Sequence, residues 1–552
     1  MAERVFAYIS RRLGVLFVIL FGSSFILYNL AAISGDILES LRLSREPNAQ
    51  QQIIALTRDL NLDVPPPLRY FLWLRGILGV FIGSPDFGLT RTQQPVINEI
   101  LLALPATIRL VTAATIIAIV LGITIGIVTA LRQYSRFDYA MTFVSFLLFS
   151  LPIFWVAVLL KEYLAIQFNN FLGNPTIPLP WLIGLSVSSG VFWSAVISGT
   201  RARVLQIFGG VFVLNFAFLS FLSATKWFAN PSLGLFGVAL LSVGVAYGVT
   251  QLSTGITNKT ALKSSLAMAA IGVALYYPVQ WLFDQDGKIF IYPLMIIALF
   301  VVAGVVPLKF TKIDRGPIIR TSMISAFLMG LLLVINELMQ TWKPYMETDA
   351  VYFRPIPTVG QVNALLEPGN FWMSLLDALV HMFLPTLALL LISFAGYVRF
   401  SRGTLLEVLN QDYMRTARAK GLTERTVIMR HAFRNTMIPL TTIMVVDFVS
   451  IIGGAIITER IFGWIGMGTL FNQAINTYDL NLLMGVFLLT GFLAGLGVVF
   501  LLVDVRNLHS NWIFWITASN PAITSPFVNL SILNPNLVNS FSRNASESRE
   551  KS

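Results

Sequence analysis

Long apolar runs recur along this chain, and each run is about 20 residues long. A helix of that length crosses the roughly 30 Å hydrocarbon core of a bilayer. The composition agrees, because 56% of the residues are hydrophobic, 12% are charged and the mean hydropathy is +0.74. A typical soluble domain carries about a quarter charged residues. The pattern therefore predicts an all-α polytopic membrane protein and excludes an ordinary soluble enzyme.

Twelve apolar runs are interpreted as membrane spans, and the basic residues between them indicate their orientation. Short cytoplasmic loops carry an excess of Lys and Arg. Arg4, Arg11 and Arg12 precede the first run, so both termini are expected in the cytoplasm. The first run is too long for a signal-peptide core and is expected to be retained. The runs are about Leu13–Ile33, Leu104–Leu131, Phe137–Ala165, Trp181–Ser198, Val204–Ala224, Leu233–Leu252, Ser264–Phe283, Ile289–Pro307, Thr321–Leu338, Leu379–Val398, Ile438–Thr458 and Leu482–Val503.

These runs divide the chain into six segments. An N-terminal segment with the first span is followed by an extracytoplasmic cap that contains Pro65, Pro66 and Pro67 as a helix stop. Two membrane segments, an inserted set of three helical hairpins and a polar tail complete the chain. The segments are 1–33, 34–103 (the cap), 104–170, 171–372 (the hairpins), 373–505 and 506–552 (the tail).

Several kinds of chemistry are excluded by composition. The chain has no cysteine and three scattered histidines, so neither thiol catalysis nor a metal centre is expected. It has no G-x-x-x-x-G-K-[ST] string, the phosphate-cradling loop of many ATPases. The net charge of +11 resides in short loops between apolar runs, which indicates membrane orientation and not nucleic-acid binding. No catalytic residue is predicted.

The stretch 399–439 carries the most information about function. Leu405, Leu406, Leu409, Tyr413 and Ala417 recur at helical spacing and predict one amphipathic helix. Gly421 is expected to end it in a left-handed conformation, and Thr423 is expected to cap a second helix that runs to about Asn435. Such a bend beneath the membrane suits the docking of a cytoplasmic partner. A basic helix resting on anionic lipid explains the same pattern equally well.

A family resemblance distinguishes these alternatives. The string DYMRTARAKGL at 412–422, followed by RHAFRN at 430–435, closely resembles the EAA-type loop of ABC-importer permeases. It is most similar to type I, binding-protein-dependent permeases of the dipeptide/oligopeptide/nickel group, specifically the B-type subunit. Arg415, Thr416 and Ala417 occupy the Glu-Ala-Ala position, and Gly421 is the motif glycine. Arg415 is a departure from the general motif that is usual in the peptide group.

Other short strings agree with the same family. They lie in the same order as in its members and cover about 1–170 and 373–505. They are Ser34-Gly35-Asp36, LNLDVP at 60–65, Asp86-Phe87-Gly88, LPAT at 104–107, SLP at 150–152 and the glycine-rich Glu459–Gly468. The resemblance implies a six-span core, into which this chain inserts about six further helices at 171–372. A lipid-facing annex and a regulatory or second-partner role both remain open for that insertion.

The resemblance also implies partners and site residues. The expected assembly pairs this chain with a second homologous permease, two ABC ATPase subunits, an extracytoplasmic substrate-binding protein and membrane lipid, in a prokaryotic plasma membrane. ATP and Mg²⁺ would bind the ATPase, and no cofactor or nucleic acid is expected on this chain. Peptides are the commonest cargo of the group. The implied coupling residues are Tyr413, Arg415, Thr416, Ala417, Arg418, Ala419, Lys420, Gly421, Arg434 and Asn435.

An intramembrane carboxylate supports a rival hypothesis. Asp447 lies in the middle of the eleventh run, near Gly453 and Gly454, and charges at that depth are costly and often functional. These three residues are candidates for the translocation path, although a structural pairing of Asp447 is also open. The rival is a stand-alone secondary transporter or channel that uses Asp447 as an ion or proton site. A membrane scaffold without transport is a third interpretation.

Overall fold

The computed structural model describes residues 2–45, 47–197, 199–285, 290–310, 315–367 and 369–495. These residues form helices joined by turns, with one isolated antiparallel bridge between Leu89 and Pro95. The helices are α1 (Ala2–Ser34), α2 (Glu39–Arg42), α3 (Ala49–Asp59), α4 (Pro66–Leu78), α5 (Val96–Leu131), α6 (Arg136–Ser150), α7 (Ile153–Leu160), α8 (Gln167–Leu172), α9 (Leu179–Ile197), α10 (Arg201–Ala224), α11 (Gly234–Ser253), α12 (Lys259–Ala274), α13 (Tyr276–Phe283), α14 (Ile291–Val305), α15 (Arg315–Met346), α16 (Phe371–Leu409), α17 (Asp412–Ala419), α18 (Glu424–Thr426), α19 (Phe433–Gly454), α20 (Ile456–Phe462), α21 (Met467–Asn476) and α22 (Leu480–Gly495).

The prediction of a polytopic helical membrane protein is confirmed. Eight described helices are long and apolar enough to cross a membrane, and two bent helix pairs raise that number to ten. The eleventh and twelfth predicted spans correspond to α19 and α22, which are not among these ten. The end of the twelfth run and the whole of 506–552 lie outside the described residues. The count of twelve and the cytoplasmic placement of both termini therefore stay predictions.

Two of the predicted spans are bent helix pairs and not continuous helices. The run Phe137–Ala165 breaks between α6 and α7 with a bend of 103°, because Pro152 has no N–H to continue the helix. A π-helical turn, Lys161–Ile166, then joins α7 to α8. The run Ser264–Phe283 breaks at Leu275 with a bend of 52° between α12 and α13. Apolar composition alone did not reveal these breaks.

The helices α5 and α16 pack closely along their C-terminal halves. Gly122 and Gly126 of α5 face Tyr397 and Ser401 of α16, and a Cβ at either glycine would overlap these side chains. The Ser401 hydroxyl lies 3.4 Å from the Gly122 carbonyl oxygen. Small residues bring helices into backbone contact inside membranes, where apolar burial gives little drive to association. This pair of helices forms the centre of the fold.

A buried carboxylate joins α5, α20 and the start of α21. Thr107 of α5 donates its hydroxyl proton to Glu459 Oε1 of α20 at 2.7 Å and accepts the Met467 N–H at 2.8 Å. The Thr469 N–H donates to Glu459 Oε2 at 2.8 Å. Glu459 is 1% exposed, so these bonds compensate for its desolvation. Together they fix the start of α21 against α5.

The segment 34–103 forms α2, α3, α4 and a 3-10 turn, Gly79–Ile82, before α5 begins. The helix α3 already ends at Asp59, and Pro66 begins α4, so the prolines start a helix and do not end one. Tyr70 and Trp73 of α4 pack against Tyr28 of α1 and Met484 of α22. Asp479 accepts the backbone N–H groups of Arg91 and Leu482 at 2.6 and 3.1 Å. The segment is therefore attached to both α1 and α22.

The inserted helices contact the core at both of its ends. Arg132 donates to the Val196 carbonyl of α9, and the Phe137 and Phe192 rings meet edge to face at 6.5 Å. At the outer end, Tyr345 of α15 donates its hydroxyl proton to Asp377 of α16 at 2.8 Å. The insertion therefore lies against α6 and α16 in this structure.

The packing around Glu459 gives a stability prediction. A Cβ at Gly466 would overlap the Glu459 carboxylate and the Thr107 hydroxyl. We expect Gly466→Ala to destabilise the fold by about 1–3 kcal/mol, the usual cost of overpacking, measured as thermal unfolding of the detergent-solubilised chain. Gly396→Ala is the matched control, because a Cβ there meets nothing within 4 Å. Equal stability of the two variants would contradict the assignment of Glu459 as a structural centre.

Candidate functional site

The stretch 399–439 forms an elbow of short helices, which we call the coupling elbow and define as residues 405–435. The helix α16 continues without interruption to Leu409, and α17 begins after Gln411. Gly421 follows α17, and α18 continues through a π-helical turn, Val427–Ala432, directly into α19. The prediction of one helix from Leu405 to Ala417 is wrong, because the chain turns at Asn410 and Gln411.

That turn changes which residues face the core. Tyr413, which the periodicity assigned to the apolar face, is 38% exposed, whereas its neighbour Met414 is fully buried. Met414 and Ala417 form one hydrophobic cluster with Leu405, Val408, Val427, Ala432 and Ala130. Ala130 belongs to α5, and Leu405 and Val408 belong to α16. The apolar underside of the elbow therefore rests on the ends of the two central helices.

Gly421 makes the bend in the manner that the sequence predicts. Its φ is +73°, in the left-handed region that favours glycine, and its N–H donates to the Arg418 carbonyl at 2.9 Å. A Cβ at this position would meet nothing within 4 Å. The requirement for glycine is therefore one of backbone conformation and not of space.

An ion pair joins the two arms of the elbow across Gly421. Arg418 Nη2 lies 2.9 Å from Glu424 Oε1, and Arg418 Nε lies 3.3 Å from Glu424 Oε2. These hydrogen bonds lower the pKa of the Glu424 carboxyl and raise the pKa of Arg418. The pair therefore persists below the ordinary titration range of glutamate and is lost as the pH falls further. Both side chains are largely exposed, so salt screens the pair.

The remaining predicted coupling residues do not share one environment. Arg415 is 75% exposed and lies 3.5 Å from Asp412, while Thr416, Ala419 and Lys420 are also exposed. Arg434 and Asn435 are half-buried at the start of α19, where the Asn435 amide donates to the His431 carbonyl at 2.9 Å. Thr423 occupies the predicted cap position, but its side chain accepts no capping hydrogen bond. The exposed polar face is thus formed mainly by α17.

A buried ion pair next to the elbow was missed by the sequence reasoning. Arg402 of α16 binds both oxygens of Asp138, at 2.8 and 3.0 Å, and the Asp138 side chain is 3% exposed. Asp138 Oδ2 also accepts the Tyr134 N–H at 3.1 Å. Ser135 followed by Asp138 resembles a helix-capping box and could have marked the start of α6. Its partner is 264 residues away, so no local pattern could have identified it.

Asp447 lies on α19 and is half-buried. The Tyr397 hydroxyl of α16 faces the Asp447 carboxylate. Within the described part of the chain, however, the Tyr397 hydroxyl forms no hydrogen bond of normal geometry. Gly453 and Gly454 are in the last turn of α19. The structure thus gives Asp447 a polar neighbour on α16. Among the described residues, no group of three His, Asp or Glu side chains could hold a metal ion.

The Asp138–Arg402 pair gives a second stability prediction. Removing one partner leaves a buried charge uncompensated, so Asp138→Asn and Arg402→Gln should each destabilise the chain by about 2 kcal/mol or more. The double variant should lose less than the sum of the two, with a coupling energy of about 1–3 kcal/mol in a thermodynamic cycle. The exposed pair Arg415 and Asp412 serves as the control and should show coupling below about 1 kcal/mol. Additive losses at Asp138 and Arg402 would contradict the pairing.

Comparison with known proteins identifies the family. Residues 212–511, more than half of the chain, match the model of the family described as "Binding-protein-dependent transport system inner membrane component". The chain is 35% identical over 185 residues to the oligopeptide transport system permease protein OppB of Mycobacterium tuberculosis, and 44% identical over 139 residues to the dipeptide transport system permease protein DppB of Escherichia coli. It is 36% identical over 146 residues to the oligopeptide transport system permease protein AppB of Bacillus subtilis.

These alignments are partial. They include 33%, 25% and 26% of this chain and cover 54%, 39% and 46% of the respective relatives. The family match contains the whole coupling elbow, residues 405–435. The elbow geometry and the helical membrane architecture are consistent with the family description. The chain therefore belongs to the family of binding-protein-dependent transport system inner membrane components and is a multi-pass protein of a prokaryotic plasma membrane.

Proposed function

We propose that this chain is the permease subunit of an ATP-driven ABC importer and forms half of a translocation path. The observation that carries the proposal is the coupling elbow. Its apolar underside is buried against α5 and α16, while α17 presents a charged, exposed outer face. A rigid projection of this kind transmits force to the membrane helices when a partner moves it. A lipid-resting helix has no need of a buried connection to both central helices.

The proposed assembly contains a second homologous permease, two ATPase subunits and an extracytoplasmic substrate-binding protein. ATP and Mg²⁺ are proposed to bind the ATPase subunits, and this chain contributes no catalytic group or cofactor. The family description supports a binding protein as a partner, because it names binding-protein-dependent transport. Tyr413, Arg415, Thr416 and Lys420 are the exposed residues that we assign to the ATPase contact.

The proposed cargo is a dipeptide or oligopeptide. The support is the printed function of the relatives, which are permeases of oligopeptide and dipeptide transport systems. Their alignments cover about half of each relative or less, so the assignment of cargo depends on similarity and not on a described binding site. Asp447, Gly453 and Gly454 are proposed to line the path.

The mechanism follows from how the elbow is attached. Closure of two ATPases on ATP would move α17, and the Met414 and Ala417 contacts would carry that motion to α5 and α16. The Asp138–Arg402 pair would carry the same motion to α6, because Arg402 lies on α16 seven residues before its end at Leu409. The path between paired permeases would then alternate its access. Gly421 is the position at which the two arms keep a fixed angle.

Purification tests the proposal directly. We expect the tagged chain, extracted in mild detergent from its native host, to retain a P-loop ATPase and a second permease. Gly421→Pro should abolish both ATPase retention and peptide uptake, because the proline ring fixes φ near −65° and excludes the observed +73°. Gly421→Asn should retain most activity, since asparagine tolerates the left-handed region. Uptake by the chain alone, or full activity of Gly421→Pro, would favour the rival secondary transporter with Asp447 as its ion site.

A charge swap separates two roles of Arg418. Arg418→Glu alone should lower uptake by breaking the pair with Glu424. If uptake requires the Arg418–Glu424 ion pair, the double variant Arg418→Glu with Glu424→Arg restores uptake at low ionic strength. Added salt should reduce this rescue. Arg415 pairs with the exposed Asp412 on its own helix and does not bridge the two arms, so Arg415→Glu should weaken ATPase retention directly. Failure of the swap with intact folding would instead assign Arg418 to an acidic group on the ATPase.

A further inference from the structure

A groove lies between α6 and α16 beside the coupling elbow. Its volume is about 420 Å³. Thr142, Ser145 and Phe146 of α6 line one side, and residues 398–400, 402 and 403 of α16 line the other. The groove thus combines an aromatic wall with two arginines, Arg399 and Arg402.

The two arginines differ in their partners. Arg402 is held by both oxygens of Asp138. The guanidinium carbon of Arg399 lies 3.6 Å from the centroid of the Phe149 ring and 5.7 Å from that of Phe146. Arg399 Nε is buried without a hydrogen-bond partner, and within the described ranges no carboxylate lies at ion-pair distance from it. Arg399 therefore has aromatic neighbours but no carboxylate partner, and its Nε has no hydrogen-bond acceptor within the described ranges.

The depth of the groove in the bilayer follows from the length of α16. This helix has 39 residues and is about 58 Å long, whereas the hydrocarbon core is roughly 30 Å thick. About 14 Å therefore extends beyond the core at each end if the helix is centred. Arg399 lies ten residues, or about 15 Å, before Leu409. It is also the first charged residue after the uninterrupted apolar run 382–398. The guanidinium thus lies at the boundary between acyl chains and headgroups.

The groove has exposed aromatic side chains at its edge. Phe146 and Phe400, which line it, are 54% and 49% exposed, and Phe149, whose ring contacts Arg399, is 55% exposed. An acyl chain fits against these rings, and a phosphate fits a guanidinium that has free N–H donors and no carboxylate partner. A soluble anion would satisfy Arg399 but would leave the aromatic rim uncovered. A molecule that carries both a phosphate and an acyl chain would satisfy Arg399 and cover the aromatic rings.

We propose that this groove binds an anionic phospholipid of the cytoplasmic leaflet, with its phosphate on Arg399 and an acyl chain along Phe146 and Phe149. The bound lipid fills the space between α6 and α16 beside Arg402 of the Asp138–Arg402 pair. It therefore joins α6 to α16, which is one of the two helices on which the coupling elbow rests. The proposal depends on the membrane placement of α16 and does not require the proposed cargo or ATPase partner.

Two variants test the proposal from different directions. Arg399→Gln removes the charge, and Gly403→Leu fills the groove, since a Cβ at Gly403 meets nothing within 4 Å. The controls are Arg201→Gln and Gly210→Leu, because both positions are on α10, where Arg201 is exposed and a Cβ at Gly210 also meets open space. Each full-length variant is reconstituted with mixed phosphatidylcholine and phosphatidylglycerol and extracted in mild detergent. Native mass spectrometry then counts retained lipids of each kind.

The expected result is selective loss of phosphatidylglycerol. Both groove variants should retain it about tenfold less well, the change that corresponds to one lost charge-assisted hydrogen bond or more, and both controls should match the unchanged chain. Arg399→Lys should retain an intermediate amount, because it keeps the charge and loses the planar fork. Equal retention by Arg399→Gln, or equal binding of phosphatidylcholine and phosphatidylglycerol, would overturn the proposal. Unchanged lipid retention with loss of a protein subunit would overturn it as well and assign Arg399 to a subunit contact.

Discussion

The close contact of α5 with α16 is the constraint on which the rest of the structure depends. Gly122 and Gly126 allow the backbone of α5 to approach Tyr397 and Ser401, and no larger residue fits there without displacement. In a bilayer, lipid tails are as apolar as the helix surfaces, so close packing between helices replaces the hydrophobic effect as the source of association. Both ends of this helix pair carry the polar contacts that give the protein its specific shape.

Buried polar groups define those two ends. At the outer end, the fully buried Glu459 carboxylate is surrounded by the Thr107 hydroxyl and the Thr469 N–H, which makes the glycine-rich turn after α20 necessary. At the inner end, Arg402 holds Asp138. Desolvated charges add little net stability even when they are paired, but their removal is costly. Apolar contacts between these helices are interchangeable. Each buried charge, in contrast, is satisfied in only one arrangement of the helices.

The coupling elbow depends on the same pair of helices. Its underside packs where α5 and α16 end, so α17 contacts the centre of the fold and not a peripheral loop. The inserted helices approach the same region, since α9 contacts the start of α6 through Phe192 and Val196. The proposed lipid groove lies between α6 and α16. The coupling elbow, the contact with α9 and the proposed lipid groove thus all adjoin the helices α5, α6 and α16.

Apolar periodicity and a few turn residues determined much of this protein in advance. The runs of about 20 residues specify membrane helices because hydrocarbon leaves backbone polar groups no other partner, and Gly421 specifies a left-handed bend because few other residues accept that conformation. The breaks at Leu275 and Gln411 were not predicted, since a continuous apolar or amphipathic pattern does not record where a chain turns. Because the chain turns at Gln411, Met414 is buried in the core and Tyr413 is exposed. Arg402, which pairs with Asp138, and Thr107, which donates to Glu459, lie more than 250 residues away along the chain, so only the tertiary structure could decide which charges have such a partner and which, like Arg399, have none within the described residues.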